Sequence, residues 1–163
     1  MLHKILVTLV GLGLFVMGAT CAVKASGASD SNKGAAIYAA RCAACHGKSG
    51  AGVSGLAPPL AGTMGFAFGG KAARPYVPLV LLKGLSGPIT VNGKNYNGMM
   101  PPQGGMPDSD LAALTNYLKF GLNASALRAD KTPYAVAEIA ALRKQAMTQP
   151  KIRALRQQIL STR

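Results

Sequence analysis

The residues best suited to chemistry lie together in the first half of the chain, as Cys42-Ala43-Ala44-Cys45-His46. At the end of a helix, positions three apart share a face, so these two thiols can add to the two vinyl groups of one haem. The adjacent His46 can then bind the iron from the same side. The spacing predicts covalent attachment of one c-type haem at Cys42, Cys45 and His46.

Two other sites could use the same residue types. A zinc site would need further Cys or His ligands, but His3 and Cys21 both lie in the N-terminal apolar stretch. A thioredoxin-like redox pair needs a βαβ context, and the sequence predicts few strands. The haem is therefore the expected cofactor.

The second iron ligand must come from another part of the chain. With no second His beyond the N-terminal stretch, a Met thioether is the natural partner, and it raises the reduction potential. Met100 precedes Pro101-Pro102, whose fixed φ angles hold an extended loop. Met106-Pro107 offers a similar arrangement closer to a helix start. We predict Met100 as the ligand and keep Met106 as the alternative. The remaining candidates are Met64, close in sequence to His46, Met99, and Met147 in the basic C-terminal segment.

Residues 1–25 have the pattern of a signal peptide. Lys4 precedes an uncharged run, residues 5–23, and small residues precede a cleavage site after Ala25. An uncleaved anchor is the alternative, because the run approaches the ~20 residues of a membrane span. A lipid attached at Cys21 is less favoured. In each case we expect the rest of the chain to work outside the cytoplasm, in the periplasm.

Charge is the strongest feature of the composition. The 163 residues include 18 Lys and Arg against 5 Asp and Glu, a net charge of +13. This balance favours partners with acidic faces or an anionic membrane surface. Nucleic acid is not expected, because the basic residues are scattered and no aromatic-basic motif appears.

The helical spacing of apolar residues and the positions of Gly and Pro predict an all-α protein in three parts. These are the signal peptide 1–25, a haem domain 26–122 and a basic helical extension 123–163. In the haem domain, Asp30 or Ser31 should cap a first helix and Asp108 or Ser109 a last one. The haem domain should also contain a helix after Pro75, a short strand at 89–91 that turns at Asn92-Gly93, and a loop over 97–105. Its last helix should end at Gly121. The extension should form two helices, 133–147 and 151–160, with a break at Pro150.

The chain resembles the class I cytochromes c, in particular the bacterial monohaem type that receives electrons from periplasmic dehydrogenases. The resemblance covers about residues 30–121 and includes the Cys42–His46 motif. Gly34 and Tyr38 are similar to the family's first-helix pair, and Tyr117-Leu118 to the last-helix positions that cross it. The resemblance implies three to four helices around one haem.

The same resemblance implies roles for two loop segments. Pro58 is similar to the proline whose carbonyl accepts a hydrogen bond from the axial His, with Pro59 as the alternative. In the segment 83–101, the Met directly before Pro is the family's ligand, which supports Met100. The doubled Met and the extra Gly104-Gly105-Met106 depart from the pattern.

Together these features predict a one-electron carrier rather than an enzyme, either a free shuttle or a subunit of a dehydrogenase or oxidase. Its expected partners are redox proteins with acidic docking faces, and the N-terminal stretch or basic extension could add membrane association. The extension could serve for docking or could cover the haem domain. The alternative function is a haem enzyme or gas sensor whose sixth ligand leaves easily.

Overall fold

A computed structural model describes residues 27–127 and 130–162, so the predicted signal peptide and Cys21 lie outside the described residues. Within these ranges the all-α prediction is confirmed, because helices carry most of the core and the strands are short. No helix in these ranges is long and apolar enough to cross a membrane. The elements are α1 (Gly27–Arg41), α2 (Ala43–His46), α3 (Tyr76–Lys83), α4 (Asp108–Asn116), α5 (Val136–Arg143), α6 (Gln149–Ser161), β1 (Leu85–Ser86), β2 (Ile89–Val91), β3 (Lys94–Tyr96) and β4 (Met99–Met100).

Helices α1 and α4 cross at Gly34. A Cβ atom there would overlap the Ala113 carbonyl oxygen and lie 2.7 Å from the Tyr117 Cβ, so the two backbones approach too closely for a side chain. Tyr38 is fully buried beside this contact, with its ring centroid 5.5 Å from that of Tyr117. The structure thus brings together the residues that the family resemblance pairs.

Helix α4 continues into a π-helical turn over Tyr117–Gly121, so the predicted end at Gly121 is confirmed. The next segment is anchored by the fully buried Asn123. Its side-chain nitrogen donates to the Leu60 carbonyl (3.0 Å), and its oxygen accepts from the Met64 backbone N–H (3.0 Å). One amide therefore fastens the end of the helix to the loop that follows the haem motif.

The predicted helix caps are wrong. Helix α1 begins at Gly27, so Asp30 lies inside the helix and not at its N-cap position. Ser31 likewise lies inside the helix. Helix α4 has Pro107 at its N-cap position and no side-chain cap hydrogen bond, so neither Asp108 nor Ser109 caps it. The Asp108 carboxylate instead accepts a hydrogen bond from Arg143 Nε (2.8 Å), a partner 35 residues away.

The predicted strand and turn are confirmed as a hairpin. Strands β2 and β3 pair antiparallel around Asn92 and Gly93, whose φ angles of 50° and 75° suit this type of turn. The loop predicted over 97–105 is partly wrong, because β4 forms inside it and pairs with β1, with Leu85 opposite Met100. Such a pairing depends on packing, and the sequence around Met100 does not indicate it.

The C-terminal helices pack on the haem domain. The two predicted helices of the extension are confirmed, but the break between them covers residues 144–148 and not Pro150. Pro150 lies in the first turn of α6, where its missing N–H costs no hydrogen bond. Helix α5 is shorter than the predicted 133–147. Helix α6 contacts α3 and β1, and it buries Ile152, Arg156 and Ile159. This packing agrees with the covering role for the extension, while the boundary at residue 122 stays a prediction.

Candidate haem site

All four residues predicted to hold the haem line one cavity of about 420 Å³. Cys42, Cys45 and His46 come from α2 and the residue before it, and Met100 comes from β4. The volume falls within the ~300–1,000 Å³ typical of cofactor pockets. Two elements more than 50 residues apart in sequence therefore place a pair of thiols, an imidazole and a thioether around one space.

His46 is buried, and a hydrogen bond to the backbone orients its ring. Its Nδ1–H donates to the Pro58 carbonyl oxygen at 2.9 Å, so Pro58, and not Pro59, makes the contact that the resemblance implied. This bond leaves Nε2 as the ring nitrogen for a metal. Burial lowers the pKa of His46 and outweighs the opposing effect of the Pro58 bond, which favours the neutral, ligating ring.

A glycine that the sequence analysis did not single out brings Pro58 into reach. Gly52 has φ +79°, and a Cβ atom there would lie 2.6 Å from the Pro59 nitrogen and 2.8 Å from the Pro58 carbonyl carbon. Its N–H donates to the His46 carbonyl at 2.8 Å. Any side chain at Gly52 would push apart the two segments that the His46 ring joins. The Gly-rich composition of residues 48–55 is typical of a loop, but it does not indicate this close approach.

The two cysteines differ in environment. Cys42 is buried and Cys45 is exposed. Burial raises the pKa of Cys42 to about 11, so its thiol stays neutral. The turn between them is helical, because the His46 N–H donates to the Cys42 carbonyl at 2.9 Å. Tyr38 fastens this turn to α1 by donating from its hydroxyl to the Gly47 carbonyl (2.7 Å).

The methionines separate clearly by position. Met100 is half-buried and lines the cavity beside its cross-strand partner Leu85. Met99 points largely to solvent, with 75% of its surface exposed, as expected for neighbours in a strand. Met106 is buried in the core outside the cavity lining, whereas Met64 reaches the cavity. The position of Met100 fits the predicted ligand better than that of Met106.

A second glycine controls the segment that carries Met100. Gly84 has φ +74° and ψ 179°, a combination essentially restricted to glycine. A Cβ atom there would lie 2.6 Å from the Met100 carbonyl oxygen and 3.0 Å from the Pro102 nitrogen. The end of α3 therefore packs directly against the backbone of the predicted ligand.

Helix α6 supplies a cavity residue that the sequence analysis missed. Arg156 lines the cavity and is only 5% exposed. Its Nη2 donates to the Thr90 carbonyl at 2.7 Å, and its guanidinium lies 5.2 Å from the Phe66 ring centroid. A signal was present, because Ile152, Arg156 and Ile159 share one helical face, and a charge on an apolar face needs a partner.

This geometry agrees with comparisons to known proteins. The Cytochrome c family model matches residues 31–120, and the chain belongs to the cytochrome c family, as a class I monohaem c-type cytochrome. Within that class it is similar to cytochrome c-552 of Thermus thermophilus, with 35% identity over 126 residues that cover 77% of this chain and 95% of the relative. Cytochrome c-552 of Thermus thermophilus strain ATCC 27634 is also 35% identical over 126 residues, which cover 77% of this chain and 84% of the relative.

Family membership confirms three of the predictions. The protein carries one covalently bound c-type haem, it has the class I fold, and it takes part in haem-based electron transfer. The cavity fits this cofactor, because it offers both thiols for thioether bonds and an oriented imidazole. It also holds a thioether on a separate element and a buried cation.

Proposed function

We propose that this protein is a periplasmic one-electron carrier whose haem is attached at Cys42 and Cys45 and bound axially by His46 and Met100. The observation that carries the proposal is the convergence of these four side chains on one cavity. The haem supplies an iron that accepts and releases a single electron. The periplasmic location rests on the signal-peptide pattern of residues 1–25, which lie outside the described structure.

The protein's own contribution would be to position His46 and Met100 for the iron. Pro58 fixes the His46 ring, and a ring held in this way is a more basic ligand. The pairing of β4 with β1 fixes Met100. A thioether ligand favours the reduced state and raises the potential. If His46 and Met100 both bound the iron, no coordination position would be left for a substrate, which supports a carrier over an enzyme.

The rim of the cavity supports a transient, acidic redox partner. Arg41 and Cys45 line the cavity and are exposed, and so are the apolar Leu56 and Met99. A small apolar rim beside a positive charge suits brief contact with an acidic face, and the net charge of +13 would steer the encounter.

The extension supports the shuttle form over the dedicated-subunit form. Three of its arginines bond inward to carbonyls of the haem domain: Arg143 to Gly104 and Met106, Arg153 to Ser86, and Arg156 to Thr90. These three side chains contact the haem domain, which favours the covering role, while Lys131, Lys144 and Lys151 of the same extension are exposed.

The axial assignment is tested with matched Met→Leu variants, which conserve volume but remove the sulfur ligand. The ferric holoprotein should show the weak far-red absorbance band of a sulfur–iron bond. We expect Met100→Leu to lose this band, and Met64→Leu and Met106→Leu to retain it. Retention in Met100→Leu with loss in either other variant would move the ligand. Ready binding of carbon monoxide by the untreated reduced wild type would favour the enzyme or sensor alternative instead.

A further inference from the structure

We infer that Arg156 of the C-terminal helix α6 binds a propionate group of the haem, which makes the extension part of the cofactor site. This inference rests on the proposed placement of the haem in the cavity. Arg156 is only 5% exposed and lines the cavity, which is an unusual position for a charged side chain. Tyr76 is 6% exposed and lines the same space, and the charge of Arg156 opposes the burial that raises the pKa of Tyr76.

The partners of Arg156 among the described residues are neutral. They are the Thr90 carbonyl and the face of the Phe66 ring. The ion pairs within the same ranges involve Lys33, Arg74, Lys119 and Arg143 as cations, and Arg156 is not among them. A buried cation without a counter-charge is strongly unfavourable, so an anion is expected in the adjoining cavity.

The other ionisable groups around the cavity make the preference for an anion stronger. The described lining includes Arg41 as a second cation and no Asp or Glu. Burial raises the pKa of Tyr76 to about 12, so Tyr76 stays neutral. The propionates are the carboxylates that a haem brings into such a space, and a guanidinium matches a carboxylate with paired N–H donors.

The position of Arg156 has a consequence for electron transfer. A fixed positive charge in a cavity of low dielectric disfavours the oxidised iron, which carries one more positive charge than the reduced iron. Arg156 therefore holds the reduction potential above the value the same haem would have without it. In this way a helix outside the family-matched residues 31–120 tunes the redox centre.

The test compares Arg156→Gln with Arg153→Gln. Both arginines lie on α6, and each donates to a carbonyl of the 86–90 segment, but only Arg156 lines the cavity. We expect Arg156→Gln to shift the one-electron equilibrium at least tenfold toward the oxidised form, a fall in potential of about 59 mV. The propionate vibrations in resonance Raman and redox-difference infrared spectra should shift as well. Arg153→Gln should change neither readout.

The variant Arg156→Lys provides a second, independent test. It keeps the charge but loses the paired donors, so the potential should stay within about threefold of wild type in equilibrium terms while the propionate vibrations still shift. If Arg156→Gln yields no holoprotein, this variant carries the test. Unchanged propionate vibrations in the folded variants overturn the inference. Failure of the proposed function is distinct, because the wild type would then lack the far-red sulfur–iron band.

Discussion

Replacing Gly84 with Ala should loosen Met100 through the backbone alone. Gly84 adopts φ +74° and ψ 179°, which costs a non-glycine residue about 1–3 kcal/mol. The new methyl group would also lie 2.6 Å from the Met100 carbonyl oxygen and 3.0 Å from the Pro102 nitrogen, and overpacking of this kind costs about 1–3 kcal/mol. Both neighbours are backbone atoms, so relief requires movement of the segment 100–102.

The expected loss in the free energy of unfolding is about 2–6 kcal/mol, and part of it should appear at the iron. If about 1.4 kcal/mol acts against the Met100–iron bond, the ligation equilibrium falls tenfold. Denaturant unfolding of the ferric holoprotein measures the first quantity, and the far-red sulfur–iron band measures the second. Both should fall together in Gly84→Ala.

Gly93→Ala is the matched control. Gly93 also has a positive φ, +75°, but a Cβ atom there would meet nothing within 4 Å. This variant should lose only the conformational part, about 1–2 kcal/mol, and keep the full band. Equal stability of the two variants with an intact band in Gly84→Ala would refute the argument that close packing at Gly84 positions Met100.

Two further predictions concern charge. Asp130→Asn should lower the free energy of unfolding by about 3 kcal/mol, because it leaves the fully buried Lys119 ammonium, now 3.0 Å from the carboxylate, without a counter-charge. Burial would raise the pKa of Asp130, but the hydrogen bonds from the Thr132 backbone N–H and Lys119 outweigh it and hold the pKa below its ordinary 3.8. The stabilisation by this carboxylate is therefore complete above about pH 4 and is lost as the pH falls further. Urea unfolding of both proteins between pH 7 and pH 3 checks this, and a parallel pH dependence in Asp130→Asn would contradict it. Electron transfer to a negatively charged small-molecule acceptor should slow as ionic strength rises from ~10 mM to ~150 mM. The reason is that the Debye length falls from about 30 Å to about 8 Å, which screens the attraction between the basic protein and the acceptor. A positively charged acceptor should show the opposite trend.

The chemistry of the protein could be predicted from short stretches of sequence. The order and spacing of Cys42, Cys45 and His46 predict the haem because one helical turn fixes their relative positions. The Asn92-Gly93 turn follows from a local φ preference. In each case the deciding constraint lies within a few bonds, where sequence neighbours are also spatial neighbours.

Other features required the tertiary structure. Only packing shows that Met100 reaches the cavity while Met106 is buried elsewhere, and that Asp108 pairs with Arg143 instead of capping its helix. Capping rules failed there because a long-range charged partner competes with a local hydrogen bond of similar strength.

The sequence by itself determined the cofactor and its covalent attachment, because thiols, imidazole and spacing are local properties. The tertiary structure alone decided what surrounds that cofactor: the strand pairing that holds Met100, the close approach at Gly52, and the placement of Arg156 by a helix more than 100 residues beyond the haem motif. The physical reason is that such contacts depend on how distant segments exclude water and fill space together, and no stretch of the chain encodes that packing alone.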